Sequence, residues 1–144
     1  MKKILVVISM LAVIISLMTP FALAAESKKT VIDLSECFYM VETINIYPMA
    51  RAGYFVYGDT SGNVYFGSKL IGTVVLKATF DISGSSAKVV NHSISGVGEN
   101  GGVYVRGSSS YSGNNVYGTA TFSYDGVTKT AQLSISCSPD GTLS

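Results

Sequence analysis

The sequence is poor in the side chains that carry out chemistry, with one histidine, two cysteines and no tryptophan in 144 residues and only 13% charged residues. One histidine and two distant cysteines cannot form a zinc cluster, and Asp59-Thr60-Ser61-Gly62-Asn63 lacks the acidic density of a calcium loop. No glycine-rich signature follows a strand and opens a helix, so nucleotide binding has no support and no cofactor is expected. A Gly-x-Ser-x-Gly elbow is also missing. Ser85-Ser86-Ala87-Lys88 fits the Ser-x-x-Lys pattern. That chemistry needs the serine and lysine one helical turn apart, whereas this match lies between two strands without a Lys-Thr-Gly companion. No catalytic residue and no metal ligand is assigned. The lack of tryptophan excludes the cysteine and tryptophan core of antibody domains, so any likeness to immunoglobulins is architectural.

Long hydrophobic runs are confined to the start of the chain. Lys2 and Lys3 precede an apolar stretch from Ile4 to Met18, then Pro20, then Ala22-Leu23-Ala24. A basic start, a short apolar centre and a small-residue junction are the parts of a secretory signal, and the apolar stretch is shorter than the roughly 20 residues of a membrane span. Residues 1 to 24 are therefore expected to be a signal peptide cut between Ala24 and Ala25, and residues 25 to 144 a single secreted domain. No cysteine follows the junction and the tail from Ser138 is polar, so no membrane anchor is expected after cleavage. Without Lys2 and Lys3, eight basic residues face nine carboxylates. With no basic run, nucleic acid is excluded as a partner.

Cys37 and Cys137 lie near the two ends of the mature chain. An even count in an exported chain favours a disulfide, the other reading being two unpaired, buried thiols. Closing so long a loop would stabilise by up to about 4.7 kcal/mol in the chain-entropy account.

The mature sequence is rich in Tyr, Val, Thr, Ser and Gly, with apolar residues at alternate positions. Leu76, Ala78, Phe80 and Ile82 alternate with polar residues. Ala120, Phe122 and Tyr124 form one face and Ala131, Leu133, Ile135 and Cys137 another, across Asp125-Gly126, a type I′ hairpin turn signal that Asn100-Gly101 repeats. Tyr54 to Tyr57 and Asn63 to Phe66 read as a third hairpin around Gly58 to Gly62. Residues 36 to 50 fit either a helical stripe or a strand ending near Pro48, and the β-branched and aromatic content favours the strand. The likeness of residues 78 to 84 to residues 120 to 126 reads as two strands meeting one packing demand rather than a duplication. Short strands joined by Gly-rich turns predict an all-β, antiparallel sandwich built from hairpins. An exposed edge strand would offer a route to dimerisation, but the residues assign no oligomeric state.

His92 shares its strand phase with Val90 and Ile94 and is expected to point inward as a structural residue; a general base for a serine is the lesser reading. Tyr, Ser, Gly and Asn crowd the stretch Arg106 to Asn115, where a recognition loop and an ordinary solvated hairpin loop both fit. Arg106, Tyr111 and Asn114 are the candidate binding residues. The basic start, Ala-x-Ala junction and Tyr/Gly/Ser-rich β domain resemble the small secreted β-rich proteins of unknown function of Gram-positive, clostridial-type bacteria. That resemblance implies export and a β fold, and carries no catalytic residues. The leading expectation is a non-enzymatic module binding an extracellular glycan, envelope or protein partner, ahead of a toxin or bacteriocin-like effector and a hydrolase using His92.

Overall fold

The computed structural model describes residues 26–46 and 54–144; the expected leader, its Ala24–Ala25 junction and Pro48 lie outside the described residues. The described residues form eight strands: β1 (Glu26–Ser35), β2 (Phe38–Ile46), β3 (Phe55–Phe66), β4 (Lys69–Asp81), β5 (Lys88–Gly98), β6 (Val103–Ser112), β7 (Asn115–Tyr124) and β8 (Val127–Ser136). They pair antiparallel in chain order, β1 to β5 in a five-stranded sheet and β6 to β8 in a three-stranded one. This is the expected all-β sandwich. Its order is a plain meander, so the likeness to immunoglobulins, which use Greek-key connections, ends at the two packed sheets.

Alternation decides which face of each strand is buried. Leu76, Ala78 and Phe80 of β4 face Ala120 and Phe122 of β7 and Ala131, Leu133 and Ile135 of β8 in one core. The two similar segments thus supply matching residues, Ala78 with Phe80 and Ala120 with Phe122, to opposite sheets. Asp125 and Gly126 turn β7 into β8 with φ of 50° and 75°, as their sequence predicts. Residues 38–46 are strand, not helix.

The expected third hairpin is absent: Gly58 to Gly62 lie inside the continuous strand β3, all paired with β4 and, from Asp59 on, with β2 as well. The glycines serve packing rather than turning. A Cβ on Gly58 would sit 2.5 Å from Leu143 Cδ1 and 2.7 Å from Ile135 Cδ1, and one on Gly62 would meet Met40 and Val74. Between them Thr60 points its hydroxyl into the core, buried and without a hydrogen-bond partner.

The expected disulfide is also absent, both cysteines being free. Cys37 lies exposed in the β1–β2 turn, where its carbonyl accepts the Gly67 N–H at 2.9 Å. Cys137 is buried at the other end of the sandwich, bridged to Leu143, which covers Gly58. The strand from Gly58 to Phe66 that separates these ends is about 26 Å long at ordinary strand rise. A bridge requires Cα atoms within about 7 Å.

Asn100-Gly101 does turn the chain, with φ of 49° and 88° and the Gly102 N–H donating to the Glu99 carbonyl at 2.8 Å. The flanking strands then part into different sheets. Gly102 presses on the Ile71 carbonyl, the Tyr104 ring lies over Gly96, and Ile94 reaches Gly107, so side chains fill the wedge where a ladder would form.

Candidate functional site

Each sheet turns its second face to solvent, and the outer face of the three-stranded sheet carries a hollow of about 560 Å³. Its floor is the backbone of Gly118 and Leu133, whose inward direction puts Tyr117, Thr119, Gln132 and Ser134 on the outer side by strand alternation. Ile32 of β1 and Glu42 of β2 complete the wall. Because the five-stranded sheet is wider than the three-stranded one, β1 and β2 overhang the free edge of β8 and bring these two residues to it. Tyr117 is 45% exposed.

Glu42 is the one carboxylate lining this hollow among the described residues. Burial pushes its pKa above the ordinary value, opposed by the backbone N–H of Ser134, which donates to it. That bond also satisfies a group on the outer edge of β8, a place where unpaired backbone invites association. Lys129 closes the same edge lower down, 2.8 Å from Glu36 and 3.1 Å from Ser35 Oγ in the β1–β2 turn.

The three candidate residues read from the sequence do not meet in one place, because Arg106 to Ser112 is strand β6 and not a loop. Arg106 pairs with Thr121 on the outer face. Beside it the Ser108 and Thr119 hydroxyls share a 2.7 Å hydrogen bond, so Arg106 belongs to the same surface as the hollow. Tyr111 falls on the opposite phase of β6, at the wedge, with its ring 5.4 Å from that of His92. Asn114 sits in the β6–β7 turn and ties the chain terminus down: its Nδ2 donates to the Cys137 carbonyl at 2.7 Å, and the Cys137 N–H returns a bond to its carbonyl at 3.2 Å. Sequence reasoning missed Tyr117 and Gln132. Their signal was the alternation of β7 and β8, which places both on the wet face.

His92 is half-buried at the wedge, where Nδ1 and Ser109 Oγ are hydrogen-bonded at 2.8 Å. Val90, expected to share its direction, is exposed instead, because the ladder slips between Thr79 and Phe80 and leaves Val90 unpaired. Ser85 lies in the connection after β4 and Lys88 opens β5, so the two are not set one turn apart on a helix. Among the described residues no group of three or more His, Cys, Asp or Glu is placed to hold a metal ion.

Comparison with known proteins finds no matching family model, no matching curated protein and no matching solved structure.

Proposed function

We propose that this chain is a secreted, non-enzymatic module that binds a cell-envelope glycan on the outer face of its three-stranded sheet. The observation that carries this reading is the Tyr117 hollow. A sugar ring presents an apolar C–H face and a rim of hydroxyls, which calls for an exposed aromatic ring flanked by short donors and acceptors; Tyr117, Thr119, Gln132 and Ser134 provide that set. The volume lies within the range of about 300–1,000 Å³ usual for ligand pockets. All of these side chains stand on paired strands, which hold them more firmly than a loop would. Glycoside hydrolysis ordinarily uses two carboxylates on either side of the bond, and a hollow lined by Glu42 alone supports binding over cleavage.

A hydrolase at the wedge has one observation in its favour, the His92 to Ser109 hydrogen bond. Against it, among the described residues no carboxylate hydrogen-bonds the imidazole to orient it, as a triad requires.

The test is cosedimentation of the mature protein with purified Gram-positive sacculi. Saturable binding lost in Tyr117→Ala and kept in Tyr111→Ala is the expected result. Binding unchanged by Tyr117→Ala, or no sedimentation at all, would reject the reading.

A further inference from the structure

The five-stranded sheet has its own solvent face, and the hollow there is built on the same plan. It measures about 260 Å³, and its floor is the backbone of Gly58 near the start of β3, Ala78 near the end of β4 and His92 in β5. Tyr57, Asp59, Lys77, Thr79, Asn91 and Ser93 surround it. Tyr57 is 64% exposed. It has no ring partner among the described residues, whereas Tyr39 and Tyr65 on the same face stack on each other at 5.0 Å, with their planes 7° apart. Phe55, two residues before Tyr57 on β3 and so on the same side, is exposed as well. Aromatic rings left in water on the wet face of a sheet contribute nothing to the core, and Phe55 continues the exposed aromatic surface of Tyr57 along β3.

The polar groups are matched and oriented. One carboxylate and one ammonium, Asp59 and Lys77, lie directly across the β3–β4 ladder from each other. Asn45 Nδ2 donates to Asp59 Oδ1 at 3.0 Å, which fixes the carboxylate on the side of β2. The rim therefore offers donors and acceptors with opposite charges balanced, chemistry suited to a neutral, hydroxylated ligand rather than to an anion or a cation.

We infer that this face is a second binding site for the same class of ligand, and that the protein bridges two glycan strands. The inference rests on the reading of the Tyr117 face. Two sheets packed face to face are about 10 Å apart, and their outer faces look in opposite directions. One extended strand cannot lie on both, so two occupied faces hold two strands and gather a polymer into a network, with the gain in avidity that linkage brings. At the wedge between β5 and β6, Tyr104 packs over Gly96, Ile94 reaches Gly107, and His92 is hydrogen-bonded to Ser109.

The experiment measures the mature protein with soluble glycan strands released from sacculi by amidase, by titration calorimetry for stoichiometry and by turbidity for bridging. A parallel titration with chitohexaose separates the N-acetylhexosamine backbone from residual peptide as the group recognised. Wild type is expected to bind at two sites and to cloud the solution. Tyr57→Ala and Asn91→Ala are each expected to halve the stoichiometry and abolish clouding while the Tyr117 site still binds; circular dichroism verifies that the variants are folded. One site in the wild type, or Tyr57→Ala and Asn91→Ala that both match it, would overturn the second site and leave the first standing. Absence of binding in every form would overturn both.

Discussion

Replacing Gly58 by alanine tests whether the central glycines of β3 are packing residues. In a loop with ordinary φ, the substitution would stabilise by about 0.4–1 kcal/mol, because it restricts the unfolded chain. In the inner face of β3 the new methyl would stand 2.5 Å from Leu143 Cδ1 and 2.7 Å from Ile135 Cδ1, closer than carbon atoms approach. Both neighbours are ends of flexible side chains that can turn aside, so the cost belongs to ordinary overpacking, about 1–3 kcal/mol. The entropy recovered from glycine offsets about 0.5–1 kcal/mol of this. The expected net effect is a destabilisation of up to about 2.5 kcal/mol, opposite in sign to the loop expectation. Urea unfolding followed by circular dichroism measures it as a lower midpoint at unchanged slope. Leu143→Ala alone should cost about 2–5 kcal/mol. Combined with Gly58→Ala it should cost less than the sum by at least about 0.5 kcal/mol, because the added methyl fills part of the space vacated. A stabilising Gly58→Ala, or strict additivity with Leu143→Ala, would refute the reasoning.

Thr60→Val should stabilise by about 1 kcal/mol, since it exchanges a buried hydroxyl without a partner for a methyl of similar size; a lower thermal midpoint would count against this. Glu42 has its pKa raised chiefly by burial, so its ionisation opposes folding: stability is fully present below the ordinary carboxylate pKa and declines as pH rises through the folded value. Urea midpoints from about pH 4 to about pH 8 should show that decline in the wild type and lose it in Glu42→Gln, whose amide oxygen still accepts the Ser134 N–H. A disulfide reagent should label only Cys37 in the native protein and both thiols in denaturant, because Cys137 is buried and its burial pushes the thiol pKa up. Two labels on the native chain would contradict the placement of Cys137.

Much of the fold was legible because local signals agreed with one another. Asp125-Gly126 demanded positive φ at two residues and lay between two alternating runs, so turn and strands implied the same hairpin. The same glycine signal misled at Gly58 to Gly62, where small residues make room for Leu143, Ile135, Met40 and Val74. Those neighbours come from β8, the chain terminus, β2 and β4, and no local pattern reports them. Asn100-Gly101 shows a third case: the turn forms as its sequence demands, while the divergence of β5 from β6 is decided by Tyr104 and Ile94, which wedge the strands apart. The pairing of cysteines failed for a related reason, since the strand pairing that sets Cys37 beside Gly67 and Cys137 beside Leu143, at opposite ends of the sandwich, leaves no local trace in the sequence.

The candidate sites were harder to read than the fold because each is assembled sideways, across strands. Tyr117 and Gln132 belong to neighbouring strands of a hairpin that the sequence does reveal, and their outward direction follows from alternation alone. What joins them to Glu42 and Ile32 is the overhang of a five-stranded sheet past a three-stranded one, a consequence of the β5–β6 wedge. Without that divergence, β5 and β6 would pair and the meander would continue as a single curling sheet. The wedge, built from Gly96, Gly102, Gly107 and the side chains that occupy their space, is therefore what divides the chain into layers and gives it two outward faces. A compositional search finds the crowding of Tyr, Ser and Asn in Arg106 to Asn115, but the same pleat that places Arg106 on the outer face turns Tyr111 toward His92. In a meander sandwich the residues that share a surface are those of one face, and a contiguous stretch of sequence is divided between two of them.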